Sequence, residues 1–139
     1  MFTFTRTVEA APDQVVRSFT DPAYFAQWFV AEGFTTPADR VAIDVRPGGT
    51  ISAVFVATQD GTEVPFSLKF GDLDVPRTLV IHLSGPDEVV TVTLRELAAD
   101  RTELTYHSSG LTPEQQSEVE SGVSHMLDLL AESHRSDPA

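Results

Sequence analysis

The chain begins with a strict alternation of apolar and polar residues, which predicts a β-strand over residues 2–8. The side chains on the inward face of this strand are Phe2, Phe4, Arg6 and Val8. After Ala11-Pro12 the spacing becomes helical, and residues 14–20 are predicted to form a short helix. A second helix is predicted from Pro22, because Asp21 can cap its start and proline suits the first helical position.

This second helix carries an unusual amount of aromatic surface. Residues 21–29 contain the only tryptophan of the chain, Trp28, together with Tyr24, Phe25 and Phe29. A single helical face cannot present all four rings, because neighbouring positions point in different directions. We therefore expect the helix to contact the core on one side and a cavity or a partner on another.

Residues 33–38 are predicted to form a loop, and from residue 39 to residue 109 the alternation of period two returns. It predicts about six antiparallel strands, each with one apolar face. The predicted turns are Arg46-Pro47-Gly48-Gly49, Asp60-Gly61, Val75-Pro76, Gly85-Pro86-Asp87 and Ala99-Asp100. Paired glycines are expected to supply positive φ angles at the first of these turns.

The last predicted element is a long helix with a capping box, in which Thr112 is the N-cap, Pro113 follows it and Gln115 lies at N3. Its apolar stripe consists of Val119, Val123, Met126, Leu127 and Leu130. Strands followed by a covering helix indicate an α+β fold. We expect one domain over residues 1–135 and a frayed tail over residues 136–139.

Composition narrows the classes of partner. The chain has 139 residues, 9 Lys and Arg against 21 Asp and Glu, a net charge of −12, and no cysteine. This charge disfavours nucleic acid and anionic membranes as partners, and the lack of cysteine excludes disulfides and thiolate metal sites. No run approaches the roughly 20 apolar residues of a membrane span, and no secretory signal is visible, so a cytoplasmic location is expected.

Motifs for catalysis are missing from the sequence. The four histidines lack metal-ligand spacing, and there is neither a nucleophile elbow nor a glycine-rich loop that opens a helix. We therefore predict no catalytic residue, metal ligand or cofactor. Two polar residues, Tyr106 and Arg6, lie at inward positions. Tyr106 is expected to be either a core residue bonded to backbone or a ligand contact. The guanidinium of Arg6 is expected to pair with a carboxylate, to reach solvent or to meet an acidic ligand.

The order of these motifs resembles the START-like (SRPBCC, Bet v 1-like) superfamily. The particular resemblance is to the family named for the C-terminal domain of the activator of the heat-shock-protein-90 ATPase. The motifs that carry it are Ala11-Pro12, Thr20-Asp21-Pro22 with Trp28, the turn at residues 46–49 after Asp44, residues 76–80, and the pair at residues 90–94 and 102–110.

This resemblance implies a helix-grip fold, in which a curved antiparallel sheet wraps around the long C-terminal helix and two short helices follow the first strand. It also implies a hydrophobic pocket between sheet and helix. The sequence departs from the family's pattern at one place, because Gly122-Val123 stands where many relatives have a Gly-Trp pair. The smaller side chain is expected to enlarge or reshape the pocket.

Three functions remain open. The first is binding of a small apolar or aromatic ligand in that pocket. Its candidate lining residues are Trp28, Phe29, Phe55, Phe66, Phe70, Ile81, Tyr106, Met126, Leu130 and Arg6. The second is a protein-interaction module, either a homodimer or a co-chaperone-like stress factor, the chaperone partner being implied by the resemblance alone. The third, less favoured because no inward acid–base pair is evident, is a cyclase- or hydrolase-type enzyme that uses Tyr106 or Arg6.

Overall fold

A computed structural model describes residues 2–31, 33–83 and 88–135 of the chain. The turn predicted at Gly85-Pro86-Asp87 and the tail predicted at residues 136–139 lie outside the described residues.

The described elements follow the predicted order. Strand β1 (Phe2–Val8) precedes three short helices, α1 (Pro12–Val15), α2 (Arg17–Thr20) and α3 (Pro22–Trp28). The strands that follow are β2 (Phe34–Thr35), β3 (Ala42–Ile43), β4 (Thr50–Ala57), β5 (Glu63–Asp74), β6 (Thr78–Leu83), β7 (Glu88–Ala98) and β8 (Arg101–Ser109). A short 3-10 helix (Ala38–Arg40) separates β2 from β3, and helix α4 (Pro113–Arg135) follows β8.

Local hydrogen bonds explain where the observed elements differ from the predicted ones. The helix predicted over residues 14–20 is divided at Val16, because the amide of Phe19 bonds to the carbonyl of Val16 at 3.0 Å, which is the tighter three-residue spacing. The region predicted as a loop at residues 33–38 contains β2. The first strand expected between residue 39 and the turn at Arg46 covers only Ala42–Ile43. It ends there because Asp44 pairs with Arg46 at 2.7 Å and the chain turns.

The two glycines of this turn have different roles. Gly48 has a φ of 82°, the left-handed conformation that the paired glycines were expected to supply. The expectation is wrong for Gly49, which does not have a positive φ. A Cβ atom at Gly49 would lie 2.1 Å from the carbonyl oxygen of Asp44, so glycine is required there by close packing of the backbone.

All strands of the sheet pair in antiparallel fashion, in the order β1-β8-β7-β6-β5-β4-β2, and β3 also pairs with β4. The first strand therefore lies beside the last, in a register that runs from Phe2 opposite Ser108 to Val8 opposite Thr102. Helix α4 lies against β1 and α3. This arrangement gives the sheet one face covered by helices and one outer face.

The start of α4 has the predicted capping box. The amide of Thr112 donates to Gln115 Oε1 at 2.9 Å, and the amide of Gln115 donates to Thr112 Oγ1 at 3.2 Å. The Asp21 cap of α3 is also confirmed, since its carboxylate accepts from the amide of Ala23 at 3.0 Å. Within the described part of the chain, no helix is long and apolar enough to cross a membrane.

The apolar stripe of α4 divides into two parts. Leu127 and Leu130, near its C-terminal end, are completely buried in the core. Val119, Val123 and Met126, nearer its N-terminal end, are only half-buried. The helix is thus seated on the core at one end, while at the other end its apolar side chains border open space.

Candidate functional site

The rings of α3 are used mainly inside the fold. Phe25 and Trp28 are buried, and the indole Nε1 of Trp28 donates to the carbonyl of Ser18 at 2.7 Å. Trp28 also packs edge-to-face against Phe19, Phe25 and Phe29. Tyr24 is half-buried and its ring stacks on that of His134, with ring centroids 5.5 Å apart. The aromatic surface that exceeded one helical face therefore contacts two other helices.

A second group of rings extends from α3 to the sheet; we call it the phenylalanine stack (Phe25, Phe29, Phe55 and Phe66). Phe29 is its centre, since its ring centroid lies 4.8 Å from that of Phe25, 6.1 Å from that of Phe55 and 5.4 Å from that of Phe66. Phe55 and Phe66 are themselves stacked at 4.3 Å across β4 and β5. These rings form one wall of the space under α4.

The part of this space beneath Trp28 and Ile81 is almost filled. Only about 10 Å³ is left between these two residues and Phe25, Phe29 and Tyr106, which is at most room for one water molecule. The interior behind the phenylalanine stack is therefore packed core rather than an empty pocket.

An open groove lies between the N-terminal half of α4 and the sheet; we call it the helix–sheet groove. Its volume is about 640 Å³. Its principal apolar lining residues are Phe29, Phe55, Leu83, Tyr106, Val123 and Met126. Glu88, Ser121 and His125 provide polar lining. Most of the wall is thus apolar or aromatic, with a few polar groups at defined places.

The residue pair at which the sequence departs from the family pattern borders this groove. Both Gly122 and Val123 line it, and a Cβ atom added at Gly122 would meet no other atom within 4 Å. A larger side chain at Gly122 would therefore occupy the groove rather than the packed core, and Val123 both lines the groove and packs against the edge of the core.

The polar end of the groove is formed by the neighbouring strands β7 and β8. The hydroxyl of Ser108 donates to Glu88 Oε2, and the ring of Tyr106 lines the groove beside this carboxylate. Burial, and in second place the negative charge of Glu88, raises the pKa of Tyr106 well above its ordinary value. The phenol is therefore neutral at physiological pH and can both donate and accept a hydrogen bond.

This raised pKa gives a measurable pH dependence. In the unfolded chain Tyr106 ionises near pH 10, whereas in the folded protein it keeps its proton to higher pH, so its contribution to stability is present below about pH 10 and is lost above it. We expect the tyrosinate absorbance of the folded protein to include a late-titrating phase that disappears in Tyr106→Phe. The same late phase in both proteins would contradict this assignment.

The ten candidate lining residues are not all brought together. Phe29, Phe55, Tyr106 and Met126 line the helix–sheet groove, and Trp28 and Ile81 line the small space beneath it. The others line neither of these two spaces: Phe66 lies behind Phe29 and Phe55 in the phenylalanine stack, Phe70 and Leu130 are core residues, and Arg6 lies between β1 and α4.

Arg6 pairs with a carboxylate, which is one of the three roles expected for it from the sequence. Its Nε donates to Asp128 Oδ1 at 2.8 Å, and one of its terminal nitrogens donates to Ser124 Oγ at 2.7 Å. Its guanidinium carbon also lies 5.5 Å from the ring centroid of Phe4. These contacts join β1 to α4.

Sequence reasoning missed Glu88, His125 and Ser121 as groove residues. Glu88 had a usable signal, because it shares the inward parity of Val90 and Val92 on the same strand. His125 and Ser121 had none, since their exposure depends on how α4 is seated. Among the described residues, no group of three or more His, Cys, Asp or Glu side chains could hold a metal ion.

A curved antiparallel sheet with a long C-terminal helix across it, and short helices after the first strand, defines a helix-grip domain of the START-like type. The family model described as activator of Hsp90 ATPase homolog 1-like protein matches residues 9–134, and the chain belongs to this family. The resemblance seen in the sequence is thereby confirmed.

Solved structures of several bacterial proteins are similar to the chain along its whole length. The protein CV1439 from Chromobacterium violaceum is 26% identical, with 98% of each chain covered and a TM-score of 0.79. CalU16 from Micromonospora echinospora is also 26% identical; the match covers 99% of this chain and 75% of that one, with a TM-score of 0.67.

A protein from Rhodobacter sphaeroides has a TM-score of 0.81 at 22% identity, over 99% of this chain and 93% of that one, and this likeness shows the fold alone. None of the curated proteins compared with the chain matches it significantly.

Proposed function

We propose that this protein binds a small hydrophobic molecule in the helix–sheet groove. The observation that carries the proposal is an open, mainly apolar groove of about 640 Å³ next to an interior space beneath Trp28 and Ile81 that is almost filled. Ligand sites in proteins typically have volumes of about 300–1,000 Å³ and combine apolar walls with a few polar groups. The groove agrees with both features.

The division of the apolar stripe of α4 supports this proposal. Val123 and Met126 lie on the same stripe as Leu127 and Leu130, yet they are only half-buried. Contact with a ligand would remove their apolar surface from water, which contributes roughly 25 cal/mol for each Å² buried. The empty position beside Gly122 leaves the space in which a ligand would lie.

The two other hypotheses receive less support. The aromatic rings of α3 suggested an interface, but Phe25 and Trp28 are buried and the ring of Tyr24 stacks on that of His134. A chaperone partner therefore rests on the family description alone. For an enzyme, the raised pKa of Tyr106 makes its phenol a hydrogen-bonding group rather than a base at neutral pH. The cytoplasmic location and the homodimer also stay predictions.

Titration with a neutral apolar fluorophore tests the proposal. N-phenyl-1-naphthylamine is uncharged near neutral pH and brightens when it leaves water. We expect saturable binding at one site, with a Kd on the order of 10 μM or lower, together with a rise in Tm as the probe concentration increases. A signal that grows linearly without saturating, with no change in Tm, would contradict the proposal.

A further inference from the structure

The helix–sheet groove contains a carboxylate that forms no ion pair with any of the described residues. Glu88 accepts a hydrogen bond from Ser108 Oγ and lines the groove. None of the ion pairs formed among the described residues includes it. A partly buried carboxylate favours a nearby positive charge, because water screens its charge less than that of an exposed one.

Most of the described basic side chains are engaged elsewhere. Lys69 is in none of the ion pairs among the described residues, and it lines a neighbouring space of about 520 Å³ that Glu88 also borders. Six arginines form ion pairs with other carboxylates, and none of the described Lys or Arg side chains lines the groove. Among the described lining residues of the groove there is one imidazole, that of His125, and it is exposed. The net charge of −12 adds a weak attraction for cations and repels anions.

The apolar walls of the groove also suit a cation. Phe29, Phe55 and Tyr106 contribute aromatic rings to the lining, and Met126 adds a polarisable thioether. Ring faces carry partial negative charge and attract ammonium groups, most strongly where water is excluded. Carboxylate, phenol and rings thus favour the same ligand chemistry.

We propose that the ligand of the groove is an apolar, preferably aromatic, molecule that carries a protonated amine. The ammonium group lies against the Glu88 carboxylate and the Tyr106 hydroxyl, and the apolar part lies along Phe29, Phe55 and Met126. An ammonium has three N–H donors, and the carboxylate and the hydroxyl can both accept hydrogen bonds from them. An anionic ligand, such as a fatty acid, would place a second negative charge beside Glu88. This inference rests on the function proposed for the groove.

Three naphthalene derivatives of similar size and different charge test the inference. They are 1-naphthylmethylammonium, 1-naphthylmethanol and 1-naphthoate, each titrated by calorimetry near neutral pH. We expect the ammonium compound to bind about tenfold more tightly than the alcohol, and the carboxylate to bind most weakly. This order is measured on the unmodified protein, so it does not depend on any variant folding.

A pair of variants assigns the preference to Glu88. In Glu88→Gln we expect the ammonium compound to lose about tenfold in affinity while the affinity of the alcohol is unchanged. Glu132→Gln is the matched control: it makes the same charge change on an exposed residue of α4 that does not line the groove, and it should alter neither affinity.

The possible failures are distinguishable. Equal affinities for the three compounds, unchanged in Glu88→Gln, would overturn the inference and leave an uncharged hydrophobic site. If none of them binds and N-phenyl-1-naphthylamine does not bind either, the proposed function itself fails, and the inference fails with it.

Discussion

Replacing Trp28 with alanine is expected to lower the free energy of unfolding by about 3–5 kcal/mol. The indole is 2% exposed and packs edge-to-face against Phe19, Phe25 and Phe29. Its removal leaves a cavity where α2 and α3 meet the sheet. The substitution also removes the indole N–H that donates to the carbonyl of Ser18 at 2.7 Å. A loss of this size is a large fraction of the stability of a typical domain.

The measurement is urea unfolding followed by far-ultraviolet circular dichroism, because the variant has no tryptophan fluorescence. Trp28→Phe keeps a buried ring and should lose less stability than the alanine variant. Gln27→Ala changes the exposed neighbour on the same helix and should stay within about 0.5 kcal/mol of the unmodified protein. If Trp28→Ala also stayed within that range, the packing described around Trp28 would be wrong.

Replacing Val123 with tryptophan is expected to reduce the affinity for N-phenyl-1-naphthylamine by about tenfold or more, since the larger ring fills the helix–sheet groove. Val123 is half-buried and lines the open groove, so the free energy of unfolding should change by less than about 1 kcal/mol. Loss of binding without loss of stability is the distinctive result.

Two controls accompany this experiment. Val64→Trp adds the same side chain at an exposed position of β5 that does not line the groove, and its affinity for the probe should equal that of the unmodified protein. Gly122→Ala adds one methyl group where there is room, and it should stabilise α4 by roughly 0.5–1 kcal/mol with little effect on binding. Full affinity in Val123→Trp would place the probe elsewhere.

Features that depend on local spacing were predicted correctly from the sequence. The alternation of Phe2 and Val8 places both in the core, and the Thr112 and Gln115 side chains make the predicted cap. Such features are visible in a sequence because strand parity and helix capping involve only neighbouring residues. The motif order then indicated the fold, and the match to the family confirmed it.

The groove depends on geometry that no local pattern contains. Met126 and Leu130 belong to the same apolar stripe, and yet one lines the groove and the other is in the core, because α4 contacts the core only towards its C-terminal end. The inward parity of Arg6 was evident, but its partner Asp128 is set by the rotation of α4 against β1. Long-range placement of this kind is a property of the packed molecule.

The pairing of the first strand with the last has a consequence for the order in which the protein folds. While the chain is being synthesised, at roughly 5–20 residues per second, β1 has to wait for β8 before it can form its ladder. Contacts between such distant residues form slowly because a long loop has to close first. Because β1 pairs with β8, the sheet can be completed only when nearly the whole domain has left the ribosome. Until then the backbone of the strand with Phe2 and Phe4 is unpaired and can pair with a wrong strand.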